Sequence, residues 1–197
     1  MSLCPFGDND RAFGAVCGSF PLIAAWDRKS LLGPDIVVPH RHWEDFSPGR
    51  VFESEPRLIT RDAIVEFAAA FDPQPMHLDE EAARAGMLGT LVASGWHSCC
   101  LLMRLLSDSF LSQSRFMGGP GIEEVRWLKP LYPGESIRAR ATVLEMRPSR
   151  SRPQIGFVKF LFELVDSTDA RVMTMIVSPM FARRAMDDAS REGMPSL

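Results

Sequence analysis

The chain has 197 residues, of which 46% are hydrophobic, and its formal net charge is -3 at pH 7. This length suits one domain with a substantial core and is short for two. Acidic and basic residues are mixed along the chain, so no polybasic stretch indicates nucleic acid or an anionic membrane as a partner.

Neither a membrane segment nor a metal or disulfide framework is visible in the sequence. No run approaches the roughly 20 apolar residues that span a bilayer, and the N-terminus lacks the layout of a signal peptide, so we expect a cytoplasmic protein. The cysteines have no CxxC spacing and no paired histidines, which argues against a zinc site. Cys99 and Cys100 lie in an apolar run and are predicted to be small core residues.

The predicted elements begin after an N-terminal arm. Residues 1–42 mix Gly, Pro, Asp and short apolar patches without a sustained period, so we predict an extension outside the main fold. The predicted domain covers residues 43–184, and residues 185–197 form a C-terminal tail. Within the domain, a turn at Pro48-Gly49 precedes a predicted strand over residues 51–59.

Two predicted helices flank a proline-rich loop. Thr60 is the predicted N-cap of the first, and apolar residues follow at helical spacing: Ile64, Phe67, Ala68 and Phe71. After the loop, Asp79 is predicted to cap a short helix that Gly86 closes.

Residues 94–112 form the predicted central helix, with Ser94 as its cap. The segment is apolar on almost every side, so we predict a buried helix. His97 within it is predicted to be a core or interface residue rather than a catalytic one.

The remainder of the domain consists of strand-like runs, "IEEVRWLKP", "ESIRARATVLEM", "GFVKFLFELVD" and "RVMTMIVSPMFA". In the second run, apolar and polar residues alternate, as a sheet with one wet face requires. "DSTDA" is a predicted hairpin turn. A buried helix followed by consecutive strands predicts an α+β domain whose antiparallel sheet wraps around the helix.

The stretch "FDPQPMHLDE" carries the candidate chemistry. Asp72 and His77 flank Pro73 and Pro75, each of which fixes φ near -65° and restricts the preceding residue. A carboxylate and a neutral imidazole near one point can take a proton from water and deliver one to carbon, as hydration of a double bond needs, without a cofactor. The alternative is structural: Asp72 ends a turn, and His77 caps a helix or bonds a backbone carbonyl.

The N-terminus of the predicted central helix supplies a candidate oxyanion site. A helix that starts at Ser94-Gly95 offers free backbone N–H groups and a positive dipole end. Gly95 has no side chain to obstruct the approach of a carbonyl group. An enolate oxygen could be stabilised there.

The stretch "FDPQPMHLDEEAARAGMLGTLVASGW" resembles the hydratase motif of the MaoC-like family, which includes (R)-specific enoyl-CoA hydratases. "EVRWLKPLYPGESIRARATVLEMRPSRSRP" is similar to that family's strand, turn and following strand. The resemblance runs from about Trp43 to Arg183. It implies a hot-dog fold, in which the sheet wraps a long central helix.

The resemblance also implies roles for individual residues. Asp72 and His77 correspond to the catalytic pair, and Gly95 to the glycine whose N–H binds the thioester carbonyl. Two positions depart from the family pattern, because Gln74 stands where Asn is usual and Ser94 where His is usual. Three residues are expected to orient the loop: Gln74, Pro75 and Ser94.

Arg147, Arg150 and Arg152 in "RPSRSRP" leave two interpretations open. They form a solvated loop that shields a sheet edge, or they contact the phosphates of a coenzyme A or acyl-carrier thioester.

Three functions are compatible with these features. The first is reversible hydration of trans-2-enoyl thioesters to 3-hydroxyacyl thioesters, with the (R) product implied by the resemblance. The others are thioester hydrolysis and binding of acyl thioesters without catalysis, in which the N-terminal arm serves as a partner surface. No cofactor, metal, nucleic acid or membrane is expected, and fold-level analogy predicts a homodimer.

Overall fold

A seven-stranded antiparallel sheet dominates residues 40–184, the part of the chain that the computed structural model describes. Most of the predicted N-terminal arm and the whole predicted tail lie outside the described residues, so the predicted domain boundaries stay predictions.

The described elements are two short strands, then a helical segment, then five further strands. A 3-10 turn over Trp43–Asp45 precedes strands β1 (Val51–Glu53) and β2 (Arg57–Leu58). The helices are α1 (Arg61–Phe71), α2 (Pro75–Leu78), α3 (Glu80–Arg84) and α4 (Gly95–Leu106), the last followed by a π-helical turn over Ser107–Leu111. The remaining strands are β3 (Ile122–Trp127), β4 (Ser136–Pro148), β5 (Ile155–Asp166), β6 (Arg171–Val177) and β7 (Met180–Ala182). Between residues 40 and 184, no helix is long and apolar enough to cross a bilayer.

The order of strands in the sheet is β1-β4-β5-β6-β3, with β2 also pairing with β4 and β7 with β5. The predicted hairpin joins β5 to β6. In its turn, Asp169 adopts φ 67, and the Asp166 carboxylate accepts hydrogen bonds from the N–H groups of Thr168 and Ala170. Among the strands of residues 40–184, β3 pairs only with β6, so it is an edge strand of the described sheet.

The inner face of the sheet packs against α4. The predicted alternation along β4 is confirmed, because Ile137, Ala139, Ala141 and Val143 are buried while Arg138 and the residues between them are partly exposed. On α4 the buried apolar residues are Leu101, Leu102, Leu105 and Leu106. Burial of these apolar side chains drives the helix onto the sheet. The predicted α+β architecture, a sheet around a central helix, is confirmed.

The predicted strand over residues 51–59 is split into β1 and β2. Between them, the Ser54 N–H donates to the Ala139 carbonyl, while the Ser54 hydroxyl accepts from the Ala139 N–H at 2.9 Å. Pro56 has no N–H to continue a ladder. One long strand therefore cannot form.

One face of α4 is more exposed than predicted. Trp96 and Met103 are 59% and 42% exposed, and Cys100 is exposed as well. These positions recur at helical spacing and so share the face that points away from the sheet. The prediction that Cys100 is a core residue is wrong, whereas Cys99 is half-buried and packs against the core.

Candidate active site

Asp72 lies at the C-terminal end of α1. The helix begins as predicted at Thr60, whose hydroxyl accepts a hydrogen bond from the Ala63 N–H at 3.2 Å. It ends where the Asp72 N–H donates to the Ala68 carbonyl and Pro73 follows. The residue before a proline is disfavoured in helical conformation, and Asp72 has φ -149 and ψ 69. The chain therefore leaves the helix at the candidate carboxylate.

The Asp72 carboxylate is held on both oxygens. Its Oδ2 accepts a hydrogen bond from the Ser94 hydroxyl at 2.6 Å, and its Oδ1 accepts one from the Gln74 side-chain amide at 2.9 Å. These hydrogen bonds, that of Ser94 above all, lower the pKa of Asp72, and the nearby His77 adds to the effect against the opposing influence of burial. Asp72 is thus kept ionised.

His77 is positioned by α2 and by the segment that precedes α4. Pro75 is the first residue of α2, where its missing N–H leaves no hydrogen bond unmade. His77 is 5% exposed, and its Nδ1 lies 2.8 Å from the Val92 carbonyl oxygen. Since a carbonyl only accepts, Nδ1 carries a hydrogen, so Nε2 is the acceptor nitrogen in the neutral form of the ring.

The Asp72 carboxylate and the His77 ring face each other without a direct hydrogen bond. The His77 Nε2 lies 3.7 Å from the Asp72 Oδ2, beyond hydrogen-bond length. The structural alternative for His77, a bond to a backbone carbonyl, is also realised, and it orients the ring rather than removing Nε2 from the site. Two acceptors directed at one place can bind and deprotonate a water molecule.

Ser94 and Gly95 start α4 beside this pair. The predicted cap is present, because the Ser94 hydroxyl accepts from the Trp96 N–H at 3.1 Å. The Gly95 N–H has no acceptor anywhere in residues 40–184. It is a free donor at the positive end of the α4 dipole, suited to an anionic oxygen.

Trp127, at the end of β3, covers Gly95 from the side. Its indole nitrogen donates to the Gly95 carbonyl at 2.9 Å. A Cβ atom on residue 95 would lie 2.8 Å from two atoms of the indole ring, closer than real Cβ contacts come. The role of Trp127 was not predicted from the sequence, since its partner Gly95 is 32 residues away and no local pattern marks the pair.

Within one chain, the fold does not place the loop that carries Arg147, Arg150 and Arg152 near Asp72 and His77. Trp127, which contacts Gly95, lies in the same row of paired residues across the sheet as Ala139. The row runs from Trp127 through Met173 and Leu164 to Ala139. Arg147 lies eight positions further along β4, about 25 Å away. There its guanidinium stacks on the Phe157 ring at 4.2 Å. Coenzyme contact by these arginines stays a prediction.

His97 is buried, as predicted, between α4 and α1. It is 6% exposed and stacks on Phe67 with ring centroids 4.5 Å apart. Burial lowers the pKa of His97 to about 4. Its Nδ1 has no hydrogen-bond partner within the described residues. His97 is therefore a neutral packing residue outside the acid–base pair.

Residues that could form a metal site are not grouped in the described part of the chain. Across residues 40–184, no cluster of three or more His, Cys, Asp or Glu residues is placed to hold a metal ion. The side chains gathered at the site are instead a carboxylate, an imidazole, an amide and a hydroxyl. This set suits proton transfer.

Comparison with known proteins places the chain in a family. The MaoC-like domain matches residues 45–157, more than half of the chain. A solved MaoC-like dehydratase from Rhodospirillum rubrum is 37% identical, with a TM-score of 0.69 over 74% of this chain and 99% of that one. The 3-hydroxyacyl-thioester dehydratase Z of Mycobacterium tuberculosis is 31% identical over 48% of this chain and 64% of its own length.

A more distant structure agrees on the architecture. A conserved hypothetical protein from Mycobacterium tuberculosis that has a double hotdog fold is 18% identical, with a TM-score of 0.59 over 74% of this chain and 45% of that one. The sheet wrapped around α4 is the same arrangement, so the predicted hot-dog fold is confirmed. The chain belongs to the MaoC-like dehydratase family.

Proposed function

We propose that the protein adds water reversibly to the double bond of trans-2-enoyl thioesters of coenzyme A, giving 3-hydroxyacyl thioesters. The observation that carries this proposal is the pairing of an ionised Asp72 with the acceptor nitrogen of His77, 3.7 Å apart, beside the free N–H of Gly95. Membership of a dehydratase family supports the same reaction class.

The first step is attack by water. A water molecule bound between Asp72 and His77 loses a proton to the His77 Nε2, while the Asp72 carboxylate, whose pKa is lowered by its hydrogen bonds, stays ionised. The water oxygen forms a bond to C3 of the substrate, and the electrons of the C2–C3 double bond move onto the thioester carbonyl oxygen. The Gly95 N–H and the α4 dipole stabilise the resulting enolate.

The second step is protonation of C2. The enolate re-forms its carbonyl group, and C2 takes the proton from the His77 Nε2, which returns the ring to its neutral form. Hydroxyl has then been added to C3 and hydrogen to C2, so the balance closes without a cofactor. Asp72 stays ionised throughout and stabilises the transient imidazolium. The same steps in reverse eliminate water, and the resemblance to (R)-specific hydratases suggests the (R)-3-hydroxy product.

The test is to follow the atoms of the product. The protein is incubated with a short trans-2-enoyl-CoA in ¹⁸O-labelled water, and the products are examined by mass spectrometry with a parallel assay for free thiol. We expect one labelled oxygen on C3 and no release of coenzyme A. Release of free thiol would establish thioester hydrolysis instead, and substrate binding without any product would establish a non-catalytic acyl-thioester protein.

We also propose that the protein forms a homodimer through the open edge of β3. This edge strand ends at Trp127, which is 48% exposed and whose ring lies against that of the exposed Trp96 of α4. An edge with unpaired backbone groups beside an apolar face is suited to pairing with a second copy. Sedimentation velocity of the full chain should give a dimer, and a monomer at every concentration would refute it.

A further inference from the structure

The segment from Val92 to Gly95 contacts both members of the acid–base pair and supplies the candidate oxyanion donor. The Val92 carbonyl holds the His77 Nδ1 at 2.8 Å, and the Ser94 hydroxyl holds the Asp72 Oδ2 at 2.6 Å. Gly95 presents the free N–H. The segment is itself fixed, because the Ala93 N–H donates to the Leu131 carbonyl at 2.9 Å. One short segment therefore hydrogen-bonds both members of the acid–base pair and carries the oxyanion donor.

Ser94 differs from the other helix caps of this domain. Thr60 and Asp79 each accept a hydrogen bond from the first turn of their own helix and are exposed. The Ser94 hydroxyl also accepts from its helix, yet its single hydrogen is donated to a carboxylate 22 residues away. Ser94 is 1% exposed, so water does not compete for this bond. Its hydroxyl serves the helix and the acid–base pair together.

The bond from Ser94 determines where Oδ2 of Asp72 lies. Oδ2 is also the carboxylate oxygen nearest to the His77 Nε2. Without the Ser94 hydroxyl, Oδ2 would lose its hydrogen-bond donor, and the nearest replacement is a protonated His77 Nε2. The carboxylate would then rotate toward the ring and form an ion pair with the imidazolium. A histidine protonated in this way no longer accepts a proton from water.

We propose that Ser94 is a positioning residue, whose hydroxyl ties Asp72 to the first turn of α4 and holds the carboxylate short of an ion pair with His77. This inference rests on the proposed hydration activity and deepens it.

The kinetic experiment compares Ser94→Ala, Ser94→Thr and the matched cap variant Thr60→Ala with the wild type. For a trans-2-enoyl-CoA, we expect Ser94→Ala to lower kcat by about tenfold to a hundredfold, with a smaller change in KM, and to move the acid limb of the pH–rate profile to higher pH. Ser94→Thr retains a hydroxyl and should restore most of the rate. Thr60→Ala also removes a cap but should leave the pH profile unchanged.

Two kinetic results would overturn the inference. One is a folded Ser94→Ala variant with the kcat and the pH profile of the wild type. The other is a Ser94→Ala variant that loses activity with an unshifted pH profile and is not rescued by Ser94→Thr, which would indicate a purely structural role.

A measurement without substrate separates this inference from the proposed function. Ring-nitrogen NMR of ¹⁵N-histidine-labelled protein follows the protonation of His77 in the wild type and in Ser94→Ala. We expect the imidazole to stay protonated to higher pH in the variant. Identical titrations would overturn the positioning role even in an active enzyme. A shifted titration in a protein that does not hydrate enoyl thioesters would support the contact and refute the proposed function instead.

Discussion

The indole nitrogen of Trp127 donates a hydrogen bond to the Gly95 carbonyl, and the ring fills the space in which a side chain at position 95 would begin. Glycine at this position is therefore required by a specific neighbour. The first turn of α4, which supplies the candidate oxyanion donor, is positioned by the edge strand β3.

Gly95→Ala should impair both folding and activity. The new Cβ would lie 2.8 Å from the Trp127 Cε2 and Nε1 atoms, so the indole or the helix start must move. Overpacking of this kind costs about 1 to 3 kcal/mol of unfolding free energy. Displacement of the Gly95 N–H should lower kcat/KM by roughly a hundredfold. Urea unfolding and initial rates measure the two effects.

The matched control for this substitution is the double variant that carries both Gly95→Ala and Trp127→Ala, compared with each single variant. If the clash with the indole is the cause, the double variant loses less stability than the two single variants added together. Additive losses would show that the cost of Gly95→Ala arises elsewhere.

Stability should fall at acidic pH because of His97. Burial lowers its pKa from 6.5 to about 4. The unfolded chain therefore takes up a proton as the pH falls below about 6.5, while the folded chain does not until about pH 4. The contribution of His97 to stability is complete above about pH 6.5 and is lost as the pH falls toward 4. The loss amounts to about 2 to 3 kcal/mol of unfolding free energy near pH 4.5.

Unfolding free energies at about pH 7.5 and about pH 4.5 test this prediction. In His97→Leu the difference between the two values should shrink by about 2 kcal/mol. Leu101→Ala is the control, because it removes a buried side chain from the same helix and adds no titrating group. A pH dependence in His97→Leu that equals that of the wild type would contradict the assignment.

Charge reversal of Arg147, Arg150 and Arg152 should leave the KM for an acyl-CoA unchanged. The Arg147 side chain is engaged with Phe157, and this end of β4 lies about 25 Å from the row of the sheet next to Gly95. Steady-state kinetics of the triple Glu variant decide between the two interpretations of this loop. A clear rise in KM, with kcat unchanged, would establish contact with the coenzyme phosphates.

Local features of the fold could be predicted from the sequence. The caps at Thr60, Asp79 and Ser94 are present because a cap needs only a short polar side chain and the next helical turn. The alternation of apolar and polar residues along β4 could also be predicted, since residues at every second position of a strand share a face. The amide of Gln74, expected to orient the loop, contacts Asp72, two residues away.

Features that depend on distant partners could not be predicted. The contact of Val92 with His77 and that of Trp127 with Gly95 join segments whose proximity arises only in the folded domain. The exposure of Cys100 depends on which face of α4 meets the sheet, and a helix that is apolar on most sides does not specify that face. The cytoplasmic location and the roles of the N-terminal arm also stay predictions.

The measurement that tests the central claim most directly is the initial rate of loss of the conjugated-enoyl absorbance of a short trans-2-enoyl-CoA. It is made for the wild type, Asp72→Asn and His77→Ala, with circular dichroism to verify that each is folded. We predict activity in the wild type and a loss of at least about a hundredfold in both variants. Hydration that persists in either folded variant would contradict the assignment of Asp72 and His77 as the acid–base pair.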